Sequence, residues 1–180
     1  FGQAIQISTH GNVEASEFLK DRNISLLTSV SPSTMYVAFN MSDPAVGGYT
    51  EEQRKLRQAF SIAIDMEEYI QIFANGRGTS SQSPLPPGIF GYEKGKAGMN
   101  PVAYYWDEKS QSAKRRKIDE ARKLLAEAGY PNGKDKDGRP LEITFVNSWY
   151  SPALGPRIIS FEKQFKKLGV VMKNETSDYN

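Results

Sequence analysis

The sequence predicts an α/β fold, a mixed sheet with flanking helices, and three stretches predict it. Leu141 to Lys173 reads as strand, helix, strand with short joints, the unit that builds parallel sheets. Thr50 to Gly76 reads as two consecutive, separately capped helices. Ile24 to Asn40 is rich in β-branched and aromatic residues on either side of Ser31-Pro32-Ser33, a turn signal. At 180 residues the chain is one domain or one large lobe, able to bury roughly 70% of its unfolded surface.

Composition narrows the function classes. A net charge of +2 argues against a nucleic-acid partner. The chain contains no cysteine, hence no disulfide framework and no thiolate chemistry. No run approaches the ~18 apolar residues of a membrane-spanning helix.

Phe1 to Thr9 alternates as a short strand, and Asn12 is placed to cap a helix reaching Arg22. His10, the single histidine, is expected to be an ordinary turn residue beside Gly11. It has no partner for a zinc set or a serine–histidine–acid triad. Ile24–Val30 and Thr34–Asn40 are expected to be strands. On the second, Met35, Val37 and Phe39 share one face and Tyr36, Ala38 and Asn40 the other; sequence alone leaves either face open to burial.

Thr50 and Gln53 form the S/T-x-x-E/Q pattern that satisfies two orphan backbone N–H groups. Leu56, Ala59, Phe60, Ala63 and Ile64 then make one apolar stripe. At Asp65 the pattern restarts, with Glu68 three residues on, then Tyr69, Ile70 and Phe73, then a stop at Asn75-Gly76. A helix break at Asp65 follows, with its carboxylate on backbone N–H groups. Arg57, on the flank of the first stripe, is expected to serve structure, held by carbonyls or an acid.

Gly76-x-Gly78 fits neither a dinucleotide fingerprint nor a phosphate-cradling loop: a helix precedes it, and no Gly-Lys-Ser/Thr follows. Ile89–Asp107 is expected to be a long surface segment pinned by Tyr92, Tyr104, Tyr105 and Trp106. Ser112–Ala128 reads as an amphipathic helix with Ile118, Ala121, Leu125 and Ala128 inward, ended by Gly129 and Pro131. Lys114–Lys117 would then be a solvated first turn. Asp135-Lys136-Asp137-Gly138 has the wrong residues at the ends of a calcium loop, with Gly133 and Thr144 where acids belong, and reads as a polar turn.

Leu141–Asn147 alternates as a strand, Pro152–Leu168 repeats as a helix through Leu154, Ile158, Phe161, Phe165 and Leu168, and Val170–Lys173 is a strand again. Ligands of parallel sheets bind outside the carboxyl ends of the strands. That rule nominates Asn147, Ser148, Trp149 and Tyr150 as ligand contacts, with packing over the helix start as the alternative for the two aromatics.

Leu56-Arg57-Gln58-Ala59, Ala63-Ile64-Asp65 and the pair Gly76 and Gly78 resemble a signature of the bacterial extracellular solute-binding proteins of family 5. Tyr36-Val37-Ala38-Phe39-Asn40 upstream and Ala121 to Pro131 downstream resemble it in the family's order. The resemblance covers most of Ser29 to Val171. It implies one lobe of a type II periplasmic-binding-protein-like fold: residues 1–180 as part of a C-terminal lobe, the N-terminal lobe and the completion of this lobe lying outside the chain. It also implies the substrate-binding component of an ABC importer, taking a peptide or similar small solute to membrane permease subunits, periplasmic or extracellular, without cofactor or bond-making chemistry. Tyr36 and Ala38 fall where such receptors touch ligand; some members carry an acid at the Ala38 position, so that polar contact is missing here. An α/β hydrolase or other enzyme and a purely structural interaction module are the alternatives. Against the enzyme, Asp65 and Glu68 are accounted for as helix caps.

Overall fold

In the computed structural model, residues 17–25, 32–147 and 154–177 are described. The expected strand Phe1–Thr9, His10, the start of the helix proposed from Asn12, most of Ile24–Val30, and Ser148, Trp149 and Tyr150 lie outside them. The elements in chain order are α1 (Glu17–Lys20), α2 (Glu51–Ala63), α3 (Met66–Ala74), α4 (Gly95–Gly98), β1 (Tyr104–Asp107), β2 (Ser112–Arg115), α5 (Ile118–Glu127), β3 (Glu142–Asn147), α6 (Leu154–Lys166) and β4 (Val171–Thr176).

The helix pair forms as its capping residues dictate. Gln53 N donates to Thr50 Oγ1 (3.3 Å) and Thr50 N donates to Gln53 Oε1 (3.1 Å), which closes the box at the start of α2. The chain leaves helical geometry at Ile64 and Asp65, and Asp65 Oδ1 accepts from Glu68 N at 2.9 Å to start α3. Asn75 then adopts the left-handed conformation that ends it. Replacing Thr50 with alanine is expected to cost about 1 kcal/mol in denaturant unfolding, with serine restoring most of it; a neutral Thr50→Ala would show that water caps this helix equally well.

The parallel pair is present. β3 and β4 run parallel with Glu142 opposite Val171 and Asn147 opposite Thr176, and α6 crosses between them. The two turns that feed this unit touch through backbone alone. Gly133 and Gly169 have φ of +75° and +77°, and a Cβ on Gly133 would sit 2.4 Å from the Gly169 carbonyl. No side chain fits there. The contact brings Gly133 O to Leu141 N (2.7 Å) and Leu141 O to Val171 N (2.9 Å), which sets the register of the sheet at its first residues.

A single core joins these parts. Leu56, Ala59, Phe60 and Ala63 of α2, Ala121 and Leu125 of α5, Ile158, Phe161 and Phe165 of α6, and Leu141, Ile143, Val170 and Met172 beside or within the strands are all buried together. Phe60 is its centre, edge-on to Phe165 (5.1 Å) and stacked with Phe39 (6.4 Å). Gln164, 2% exposed, locks the helix junction to this core: its Oε1 accepts from Asp65 N (2.9 Å) and its Nε2 donates to Asp65 O (3.4 Å). Arg57 reaches back to the preceding loop, Nη1 donating to Val46 O at 2.8 Å, the structural role its position predicts.

Three expectations need correction. Ser112–Ala128 is not one helix. Residues 112–115 form β2, antiparallel to β1 with Tyr104 opposite Arg115 and Asp107 opposite Ser112, and the helix begins only at Ile118. The β-prone Tyr104-Tyr105-Trp106 supplies a partner strand, and a ladder there outweighs the propensity of the lysines and arginines for a first helical turn. Within Ile89–Asp107, accordingly, β1 is part of a hairpin and Tyr104 is 5% exposed. Finally, Thr34–Asn40 forms no ladder among the described residues. An extended run becomes a strand only where a neighbour takes its backbone groups, and Phe39 alone of this stretch packs on the core.

Candidate functional site

The parallel pair ends, at its carboxyl side, in Asn147. Its Nδ2 donates to Asn174 Oδ1 (2.8 Å) and to Glu175 O (3.2 Å), while its backbone oxygen accepts from Ser177 N (2.9 Å). Two acceptors around one end of the amide fix its orientation, because flipping it would set oxygen against oxygen. Asn147 Oδ1 is then a buried acceptor without a partner among the described residues.

Behind Asn147 the sheet is covered by rings. Phe145 stacks on Phe161 (5.4 Å, 25°), Phe161 on Tyr69 (5.5 Å, 24°), and Tyr69 lies against Phe73 (4.9 Å). The Arg157 guanidinium lies 5.9 Å from the centroids of both Tyr69 and Phe73, a cation over two ring faces. Sequence reading passed over Arg157, although its i, i+4 spacing from Phe161 on α6 was a signal that it shares the ring-bearing face.

Tyr36 and Ala38 sit elsewhere, on the extended approach to α2, both exposed, Tyr36 at 83%. No described contact joins them to Asn147. Trp149 and Tyr150 follow Asn147 directly and, with Ser148, lie outside the described residues.

A second polar cluster, at the α2–α3 junction, is closed on itself. Arg115 donates to Ile64 O (2.8 Å), Ile62 O (2.6 Å) and Glu67 Oε2 (3.3 Å), and its Nε lies 3.6 Å from Asp65 Oδ2. The Tyr104 hydroxyl donates to Glu67 and pairs with Ser80 Oγ at 2.6 Å. Burial pushes the Tyr104 phenol above the usual tyrosine range, and the Glu67 carboxylate raises it further. Through these bonds Tyr104 of β1 ties the hairpin to Glu67 of α3. The turn at Asp135 is equally self-contained: its Oδ1 accepts from Asp137 N and Arg139 N, both at 2.9 Å, and its Oδ2 takes Arg139 Nε at 2.8 Å. Among the described residues no three His, Cys, Asp or Glu side chains group as metal ligands, and no helix is long and apolar enough to cross a membrane.

Residues 3–180 match the family described as bacterial extracellular solute-binding proteins, family 5 Middle. The chain is 32% identical over 117 residues to heme-binding protein A of Haemophilus influenzae, covering 65% of this chain and 18% of that protein. It is 24% identical over 177 residues to the oligopeptide-binding protein AppA of Bacillus subtilis, covering 94% and 29%. Among solved structures, the murein tripeptide binding protein MppA of Escherichia coli superposes with a TM-score of 0.55 at 20% identity, over 79% of this chain and 24% of that one. AppA in complex with a nonapeptide superposes at 0.51, over 69% and 23%. The chain therefore spans between about a fifth and three tenths of the proteins it matches, and its fold is a portion of the type II binding-protein fold.

Proposed function

Because the chain belongs to the bacterial extracellular solute-binding proteins of family 5, whose members are binding components of ABC importers and work in the periplasm or outside the cell, we propose that it forms part of such a receptor. It binds a peptide or similar small solute and hands it to permease subunits in the membrane. The match to the family model along residues 3–180 carries this reading. The relatives it resembles are binding proteins, which supports binding and closure over bond chemistry.

Residues 1–180 then make up one partial lobe, with Asn147, Ser148, Trp149 and Tyr150 at the strand ends and Tyr36 and Ala38 on the strand-like approach contributing contacts to the solute. The position of Asn147 at the carboxyl end of a parallel pair supports the first group. Nothing described adds to Tyr36 and Ala38 beyond their exposure and the family pattern.

Mass spectrometry of solute released from the intact receptor is the direct test. It is expected to recover a peptide or other small polar molecule that rebinds on titration, and recovery of a chemically altered product on incubation would overturn the receptor reading. The 180-residue chain alone is expected to bind that solute only weakly. A micromolar complex corresponds to about −8 kcal/mol, and losing the opposing lobe removes about half, leaving millimolar affinity. Calorimetry decides this, and micromolar binding by the chain alone would show the site to be complete within it.

A further inference from the structure

Between the helix pair and the hairpin, Pro86-Pro87-Gly88-Ile89-Phe90-Gly91-Tyr92 encodes two consecutive turns. A type II turn favours proline at its second position and needs a left-handed third residue, which glycine supplies. Gly88 and Gly91 have φ of +89° and +86°. The closing bonds are present, Ile89 N donating to Pro86 O at 3.3 Å and Tyr92 N to Ile89 O at 3.0 Å. The two turns share Ile89, and Phe90 stands at the outer corner of the second. It is 102% exposed, more than any other large apolar residue among those described.

The loop is tied down at both ends. Before it, Ser80 Oγ pairs with the Tyr104 hydroxyl at 2.6 Å, and Gln82 Oε1 accepts from Asn100 N at 3.2 Å. After it, Lys96 Nζ donates to Glu108 Oε1 at 2.6 Å, across to the turn between β1 and β2. Within it, Leu85 Cδ1 lies 3.3 Å from where a Cβ on Gly91 would sit, so the second turn rests on Leu85. A ring presented in this way has already lost the conformational freedom that docking would otherwise cost.

The surface that covers Phe90 must be small. A buried phenylalanine removes about 150–250 Å² from water, against about 800 Å² per partner in a stable interface. Only Leu85 and Ile89, each 40% exposed, extend the patch. Close by in the chain are Glu93, Lys94 and the Lys96–Glu108 pair, all exposed. A broad cover, whether a second copy, another lobe or a bilayer, would strip these charges of water without offering them partners. One ring taken into a pocket, inside a rim of wet charges, has the anatomy of a protein–protein contact, and its small area makes that contact transient. A receptor that delivers solute must make and break such a contact with its permease at every turnover.

We propose that Phe90, carried on the double turn 86–92, is a docking knob that inserts into an apolar pocket on the outer face of the permease subunits. This rests on the solute-receptor reading and names a surface used in delivery.

The test uses right-side-out membrane vesicles from cells lacking the receptor, supplied with purified intact receptor and the radiolabelled solute recovered from it. Phe90→Ser is expected to raise about tenfold the receptor concentration that half-saturates uptake, while solute affinity and melting temperature stay as in the unaltered receptor. Phe90→Trp, which keeps an aromatic ring, is expected to remain within about threefold. Uptake that Phe90→Ser leaves unchanged overturns the proposal. So does a matching fall in solute affinity or melting temperature, which assigns Phe90 to packing inside the intact receptor. Binding to protein-free vesicles of the same lipids that is lost in Phe90→Ser overturns it too, and assigns the ring to the bilayer. The receptor reading is judged apart: no uptake with the unaltered receptor overturns that reading and the docking with it, whereas uptake indifferent to Phe90 leaves the reading standing.

Discussion

Replacing Phe60 with alanine is expected to lower the stability of the chain by about 3–5 kcal/mol. Phe60 has no exposed surface and is contacted from two sides by rings, Phe165 edge-on at 5.1 Å and Phe39 at 6.4 Å. Removing the ring forfeits its transfer free energy and leaves a cavity whose walls belong to α2, α6 and the approach to α2. Two of these walls, α2 and α6, are also held by contacts other than Phe60. α2 is held at its start by the Thr50 box and at its end by Gln164, and α6 is held by its stacking on Phe145 and Tyr69. The cavity therefore collapses little, which puts the cost toward the upper end. Small domains have only about 5–15 kcal/mol in total, so a shift of the urea midpoint at unchanged slope reads this directly. A loss below about 1.5 kcal/mol would mean that Phe39 or Phe165 fills the space.

Phe60 also marks what could be read from the sequence alone. Local signals were legible because their partners are near in the chain. Thr50 with Gln53, and Asp65 with Glu68, are three residues apart, and the doubled pattern placed the break where it is found. The β–α–β unit was legible because alternation and helical periodicity follow each other within Leu141–Thr176, with the parallel register as their consequence. The hairpin was not legible. Whether Lys114–Lys117 starts a helix or continues a strand is decided by Tyr104–Asp107, and by Ile62 and Ile64 waiting for a donor some fifty residues away in sequence. The candidate site divides in the same way. Asn147 followed from a rule about strand ends, whereas Arg157 needed the packing of α3 on α6 before its place over the rings of Tyr69 and Phe73 could be noticed.

The second large effect is expected at Arg115, where alanine should cost about 2–4 kcal/mol. Helix α2 ends with carbonyls that no intrahelical N–H can reach, and Arg115 supplies the donors for two of them, Ile64 O at 2.8 Å and Ile62 O at 2.6 Å. Its remaining capacity goes to Glu67 at 3.3 Å and Asp65 at 3.6 Å. The side chain is only 20% exposed, so water cannot take over every bond at once. Hydrogen bonds to charged groups contribute about 1.5–3 kcal/mol each, discounted here because Glu67 and Asp65 are partly solvated and are rehydrated when the cation goes. Lysine carries the charge but places one compact ammonium where a planar fork spans two carbonyls, and is expected to recover less than half of the loss. The variant should also loosen the hairpin, because Arg115 is the strand residue opposite Tyr104, and both side chains meet at Glu67. Hydrogen exchange at Tyr105–Lys114 then rises in Arg115→Ala beyond what its global destabilisation explains, while exchange in β3 and β4 follows the global change alone. A neutral Arg115→Ala, or exchange that rises equally in both sheets, would show that the arginine decorates the junction without joining the hairpin to it.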